Sequence, residues 1–343
     1  MQASNLIFPQ PVPPHAGEMV EIAPGIRWLR LALPFALDHV NIYLIDDGDG
    51  WAVLDTGVAD LRTRTVWQET IASKLGGRKL TRLILTHFHP DHLGLAGWMT
   101  GELGLEMWMT PGEYAAGRNA GRIHSEEGRN AHRAFFTSHG MAPATIEAAM
   151  GRGTAYLKMT TGLPEQFRPL VAGETLRIGG RNFEILTGGG HAPEQAMLFC
   201  RADSLFLAAD QILARISPNI GVWPTEPVSD PLAAYLTSLP ALRRQIPDHV
   251  LALPAHNLPF YGLHHRIDAL LAHHEARCED IVAACTTPQT TSDVLPILFP
   301  RLLDAHQLGF AFGEVLAHIN YLVGIKTLTR HTDANGVIRV IRA

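Results

Sequence analysis

Four residues of metal-binding type stand within six positions of this chain, His87-x-His89-x-Asp91-His92, directly after the short apolar run Leu80–Leu85. The run reads as a buried strand, so the four side chains emerge where a strand leaves its sheet. At such a point side chains can converge on a ligand without stranding buried backbone groups. Imidazoles two apart on extended backbone face the same side, which lets His87 and His89 grip one cation. Asp91 and His92 lie past Pro90, where the chain turns toward a helix, and are placed to grip a second. The motif therefore asks for a fold in which strand ends meet at one rim.

Composition narrows the class. The chain has 343 residues, of which 46% are apolar. That suffices for one large domain, or for one of about 250 residues plus a small one, and excludes wholesale disorder. Charged residues make up 18%, below the roughly 25% usual in soluble domains, which points to a large buried fraction or an oligomer. A homodimer is the expectation. With 28 basic and 33 acidic residues the net charge is −5, which argues against a general nucleic-acid binder. Cys200, Cys278 and Cys285 fall in neither a disulfide nor a zinc-knuckle spacing, whereas 18 histidines point toward metal or proton chemistry. The Pro-rich stretch Met1 to His15 has no Lys or Arg, unlike a secretory leader. No apolar run of about 18 residues occurs, so no membrane span is expected and the expected location is the cytoplasm.

Along the chain, Met19–Leu31, Val40–Ile45 and Trp51–Leu54 read as strands, and Leu61–Leu75 as a helix. From Glu113 to about Met159 the pattern is helical. Strands return at Leu176–Ile178, Phe183–Thr187, Met197–Cys200, Ser204–Ala208 and Val250–Leu253, with a helix at Pro231–Gln245 before the last of these. The final 80 residues read as a separate unit. His264–Cys285, Thr291–Leu298 and Gly313–Val323 are helical, and Thr332-Asp333-Ala334-Asn335-Gly336 is a hairpin turn between Ile325–His331 and Val337–Ile341. Three helices and a β-hairpin follow one another in the order of a winged helix. Seven basic against eight acidic residues over 264–343 leave a charge of −1. A DNA reader would be basic, because phosphate neutralisation supplies most of its affinity. The unit is therefore expected to serve oligomerisation or to act as a lid.

The motif at 87–92 resembles that of the metallo-β-lactamase superfamily, specifically its glyoxalase II-like dinuclear hydrolases, over about residues 19–262. The resemblance implies an α/β fold, a four-layer αβ/βα sandwich with two mixed sheets face to face, helices outside and metals at one edge. The division it implies is a catalytic domain at 1–262, with a helical insert at about 98–160, and a small winged-helix-like domain at 263–343. It also implies three further ligands, a His, an Asp and a His, each at a strand end, and the chain has residues that answer. His191 follows Gly188-Gly189-Gly190, whose glycines would let the backbone pass close to a metal. Asp210 ends Ser204–Ala209, and His256 follows Val250–Ala255. By carry-over, His87, His89 and His191 hold one metal ion, Asp91, His92 and His256 hold a second, and Asp210 stands between them. Asp55, in Leu54-Asp55-Thr56-Gly57, matches a recurrent superfamily position whose implied role is to orient a ligand histidine or its loop.

Departures from better-known relatives narrow the subtype. Class B β-lactamases carry a Cys where this chain has Asp210, and diiron flavoprotein reductases a Glu where it has His89. Many relatives read Gly-His-x-Pro-Gly-His around the third ligand; Gly190-His191-Ala192-Pro193-Glu194-Gln195 lacks the second histidine. That histidine lies outside the ligand scheme, so the departure falls on substrate or outer contacts. The implied chemistry is two divalent ions, zinc being expected and manganese or iron accepted by the same donors. A hydroxide bridging the ions would attack a thioester, ester or lactone carbonyl, with Asp91 as the catalytic proton shuttle. The expected substrate is a small molecule or an acyl carrier. Trp98, Trp108, Tyr114, Phe135 and Phe136 of the insert would either wall its acyl group or pack the insert against the domain. No Gly-x-Ser-x-Gly elbow offers a serine nucleophile. An endoribonuclease or phosphodiesterase using the same metals is the alternative, suggested by the winged-helix pairing and opposed by the charge. A non-enzymatic binding protein would need a broken ligand set, and this set is intact.

Overall fold

The structure is a computed structural model that describes residues 5–120, 125–150 and 155–343. Short apolar strands build two sheets. The first takes its strands in chain order: β1 (Met19–Ala23), β2 (Ile26–Ala32), β3 (His39–Asp46), β4 (Gly50–Leu54), β5 (Lys79–Ile84), β6 (Glu106–Met109) and β7 (Arg168–Pro169). Pairing is antiparallel from β1 to β4 and parallel from β4 to β7. The second contains β8 (Thr175–Ile178), β9 (Arg181–Gly188), β10 (Gln195–Cys200), β11 (Leu205–Ala209) and β12 (Leu251–Pro254), in the order β12-β11-β10-β9-β8. Only β11 and β12 run parallel there.

The helices are α1 (Leu61–Glu69), α2 (Pro90–Leu93), α3 (Ala96–Gly101), α4 (Pro111–Ala120), α5 (Glu126–Ser138), α6 (Pro143–Met150), α7 (Ala155–Lys158), α8 (Pro231–Gln245), α9 (Leu263–Ala284), α10 (Thr291–Leu298) and α11 (Ala305–Gly324). A last hairpin joins β13 (Leu328–Thr332) to β14 (Ile338–Arg342).

The layers follow from the two-residue period of the strands. Trp28, Tyr43 and Ile45 point inward, onto Phe183, Leu198, Leu207 and Leu253 of the other sheet. Their neighbours Leu29, Leu31, Val40, Ile42 and Leu44 point outward, toward Trp67 of α1 and Trp98 and Met99 of α3. On the far side Phe199, Phe206 and Ala208 meet Leu239 of α8, Ile267 of α9 and Phe312 of α11. The result is the four-layer sandwich of the metallo-β-lactamase fold with a small C-terminal domain.

Several local readings change. Met19–Leu31 is two strands, because Gly25 turns the chain at φ +67°. The stretch 98–160 is not helical throughout. Glu106–Met109 is strand β6 of the first sheet, lying between the end of α3 at Gly101 and the run of helices that opens at Pro111. Four residues carry too little alternation for period to reveal them; the edge of β5 recruits them. α11 starts eight residues before Gly313.

The five aromatics offered as pocket wall or packing are packing. Phe135 and Phe136 lie 6.3 Å and 5.4 Å from the ring of Phe312. Tyr114 stacks on Phe167 at 4.1 Å, and Trp98 and Trp108 lie in or against the two cores beside the first sheet. Through these contacts α5, α6 and the C-terminal helices share one apolar core with the outer face of the second sheet. Residue 263 thus opens a helix but not a separate core. No helix among the described residues is long and apolar enough to cross a membrane.

Phe312 is fully buried at the junction of α5 and α11. Phe312→Ala is expected to lower stability by about 3–5 kcal/mol through the lost burial and the cavity left behind. Because the core is shared, denaturant unfolding followed by fluorescence and by circular dichroism should still give one coincident transition.

Candidate metal centre

The C-terminal ends of β4, β5, β9, β11 and β12 open on one rim of the sandwich, and the seven candidate donors sit just beyond four of them. β5 leads through Leu85 and Thr86 into His87, His89, Asp91 and His92; β9 into His191; β11 into Asp210; and β12 into His256. The structure brings all seven together in three overlapping groups: His87, His89 and His191; His87, His92 and Asp210; and Asp91, His92 and His256.

The first trio converges through specific atoms. His89 Nδ1 lies 3.0 Å from His87 Nε2 and 3.0 Å from His191 Nε2. In the trio of Asp91, His92 and His256, Asp91 Oδ2 lies 3.6 Å from His92 Nε2 and 3.4 Å from His256 Nε2. Asp210 Oδ2 stands between the trios, 3.2 Å from His191 Nε2, 3.3 Å from His256 Nε2, 3.6 Å from His92 Nε2 and 4.0 Å from His87 Nε2.

The opposite edges of four rings, His87, His92, His191 and His256, are tied down. Asp55 Oδ2 accepts from His92 Nδ1 at 2.8 Å and from Thr86 Oγ1 at 2.8 Å, and Asp55 Oδ1 accepts from the Thr86 amide at 2.8 Å. With Thr86 Oγ1 donating to Asp55, His87 Nδ1 donates to Thr86 Oγ1 over 3.0 Å. His191 Nδ1 donates to the carbonyl of Asn219 at 2.8 Å and His256 Nδ1 to that of His39 at 2.7 Å. Each of these bonds places a proton on Nδ1 and turns Nε2 toward the cluster. Asp55 and Asn257 and Ala209, beside His256 and Asp210, have φ of +66°, +66° and +46°. Non-glycine residues are rarely held there, and the surrounding hydrogen bonds must sustain the strain.

Electrostatics divides the rings. Burial disfavours charge on all of them. In His87 and His89 it prevails, reinforced by neighbouring imidazoles, and pushes His87 far below its usual range and His89 to about 3. In His92 and His256 burial is outweighed by Asp91 and Asp210, with Asp55 adding at His92. His92 rises far above its usual range and His256 to about 10. Burial, which would raise both carboxyls, is likewise outweighed by His92 and His256, which hold Asp91 and Asp210 below the ordinary carboxylate range. Positive charge is therefore favoured beside both carboxylates. His92 Nε2, His256 Nε2 and Asp210 Oδ1 are buried without a hydrogen-bond partner. Unpartnered donor atoms of this kind are costly unless something else pairs them. Imidazole and carboxylate donors facing inward at these spacings fit divalent cations of the zinc, manganese or iron type.

The model of the metallo-beta-lactamase superfamily matches residues 36–256, a span that includes every one of the seven donors. The chain belongs to the metallo-beta-lactamase superfamily. A model described as the metallo-beta-lactamase-like C-terminal domain matches residues 278–343. A crystal structure of a beta-lactamase domain protein from Burkholderia ambifaria is 38% identical, with 99% of each chain covered and a TM-score of 0.91. A metallo-beta-lactamase family protein from Thermus thermophilus is 29% identical, covering 94% of this chain and all of that one, with a TM-score of 0.80. A probable metallo-hydrolase of Bacillus subtilis (strain 168), YqjP, is 26% identical, covering 90% of this chain and 95% of its own.

Within this superfamily fold, several residues of the rim were not signalled by the sequence. Glu113, at the start of α4, is fully buried; its carboxylate accepts from the amides of Phe88 at 2.9 Å and Glu194 at 2.6 Å, so it clamps the two histidine loops together. Burial raises its carboxyl to about 7. Glu194 answers by accepting from the Gly112 amide at 2.8 Å. Gln195, where many relatives carry a second histidine, is buried and donates to Gln211 at 3.3 Å. The glycines before His191 are closely packed: a Cβ on Gly188 would lie 2.6 Å from Gln211, and one on Gly190 2.5 Å from Tyr235 Cβ. Asn219 and His39 act on the rings through backbone carbonyls, which leave no side-chain signature to find.

Asp55→Asn keeps the shape but turns an acceptor toward His92 into a donor. His92 must then accept on Nδ1 and carry its proton on Nε2, the atom facing the other donors. Chelator competition should show zinc affinity reduced by about 10–100-fold, with the fold intact by circular dichroism.

Proposed function

We propose that the protein is a two-metal-ion hydrolase of the glyoxalase II-like kind, cleaving thioester, ester or lactone bonds of small acyl substrates. The observation that carries this is Asp210, whose single oxygen lies 3.2–4.0 Å from imidazole nitrogens of both trios. One carboxylate shared by two trios is the donor arrangement of a paired-ion site. When bound, such an ion pair polarises a carbonyl and lowers the pKa of water toward about 7. The chain's own residues do the rest. Thr86, Asp55, His39 and Asn219 fix ring tautomers and orientation. Asp91 is the carboxylate of the set that reaches furthest toward solvent, 17% exposed against 7% for Asp210. Held ionised by His92 and His256, it is placed to take a proton from the attacking water and pass it to the leaving thiolate or alkoxide.

A cleft of about 180 Å³, lined by Pro11, Pro13, Arg30, His39, Arg215, Asn257 and Leu258, adjoins His256 through His39 and Asn257. Its two guanidiniums suit the anionic handle of an acyl carrier. A net charge of −5, and −1 over the C-terminal 80 residues, gives little attraction to a nucleic-acid backbone. We read the C-terminal helices and hairpin as winged-helix-like in order but not as a DNA reader.

The test is metal quantification followed by a panel of thioesters, esters, lactones and single-stranded RNA. The expected result is about two metal ions per chain and turnover of at least one carbonyl substrate. Asp210→Ala should abolish that turnover while remaining folded. RNA cleavage without any carbonyl turnover would overturn the substrate class, and wild-type protein that binds no metal would overturn the mechanism.

A further inference from the structure

Between Asp210 and α8 the chain runs from residue 211 to 230 without a strand or helix. This segment carries Asn219, whose carbonyl holds His191. Side chains of the C-terminal helices take up its polar groups one after another. Arg266 of α9 donates to the carbonyls of Leu213 at 2.5 Å and Ile216 at 2.7 Å. Asn320 of α11 donates to the carbonyls of Ser229 at 2.7 Å and Pro227 at 3.3 Å. The Val222 amide donates to the carbonyl of Gly313 at 3.0 Å, where a Cβ on Gly313 would lie 3.0 Å from Val222 O.

At the centre is Asn219 itself. Its side-chain amide donates to Glu314 Oε2 at 3.1 Å and to the Phe310 carbonyl at 3.3 Å. Its backbone carbonyl accepts from His191 Nδ1 at 2.8 Å. Glu314 is only 7% exposed, and the Arg277 guanidinium lies 3.5 Å from its other oxygen. A buried carboxylate is a costly way to attach a loop if attachment is all that is needed. What a hydrogen bond adds over apolar packing is direction, and the atom directed here is one residue's carbonyl away from a donor of the metal centre.

We propose that Glu314 is a positioning residue for the trio of His87, His89 and His191, acting through Asn219. It fixes the carbonyl that keeps His191 protonated on Nδ1 with Nε2 facing inward, which makes the C-terminal domain a working part of the metal centre. This rests on the two-metal-ion reading above.

The experiment uses the full chain, with zinc alone as the probe for affinity by chelator competition and cobalt(II) as the probe for ligand geometry by visible absorption. Glu314→Ala and Asn219→Ala are each expected to weaken one of two bound zinc ions by about 10-fold or more and to alter the cobalt spectrum. The second ion should be unaffected. Asn219→Ala leaves the backbone carbonyl in place and removes only its tether, so it reads the same link even where Glu314→Ala does not fold. The double variant should lose no more than either single one, since both break the same link. Glu314→Gln, whose amide oxygen still accepts from Asn219, should restore most of the affinity. Wild-type affinity for both ions in folded Asn219→Ala overturns the proposal, as does a loss spread equally over both ions in step with lowered stability of the metal-free protein. Wild-type protein that takes up no zinc overturns the reading beneath it instead.

Discussion

Two carboxylates, the buried Asp210 and the part-buried Asp91, stand among five imidazoles, and this concentration of donors governs the rest of the molecule. An ionised carboxylate taken out of water costs several kcal/mol unless it is paired and hydrogen-bonded. Here the pairing falls on His92 and His256, both driven far upward in pKa by those carboxylates. The same inward-facing nitrogens are unpartnered by hydrogen bonds. A donor set of this kind is held together by the scaffold around it rather than by its own affinities.

That scaffold works by controlling the far edge of each ring. His92 and His87 are held by Asp55 and Thr86 from the first sheet, His256 by the carbonyl of His39 on β3, and His191 by the carbonyl of Asn219. Asn41 and Tyr43 of β3 reach across to the carbonyl of Pro254, two residues before His256, and so lock the two sheets at the rim. Glu113 does the same between the loops of His89 and His191. The strained backbone at Asp55, Ala209 and Asn257 lies where those contacts are densest.

Much of this was legible in the chain. Strand β5 and the donors that follow it announce themselves through a short apolar run that stops at a cluster of His and Asp. The hairpin turn at 332–336 is a local device whose residues declare it. What escaped was of two kinds. β6 is a four-residue strand that exists because β5 offers it an edge, and neighbouring sequence read by period suggests a helix instead. Phe135, Phe136 and Tyr114 looked equally suited to a pocket or a core, because an aromatic ring carries no mark of what it will face; Phe312, more than 170 residues away, decides it for the two phenylalanines, and Phe167 for Tyr114.

The chain by itself determined which chemistry is within reach. The four donors at 87–92 follow from local order, since strand formation and side-chain chemistry are local properties, and the superfamily resemblance they carry picks out His191, Asp210 and His256 as the further three. Only the tertiary structure decided which nitrogen of each ring faces its neighbours, that one oxygen of Asp210 is common to both trios, and that Glu113, Asn219 and Glu314 stand behind them. Those are outcomes of packing between segments far apart in the chain. A tautomer depends on the acceptor opposite, and two of those acceptors, the carbonyls of His39 and Asn219, are groups any stretch of polypeptide could supply.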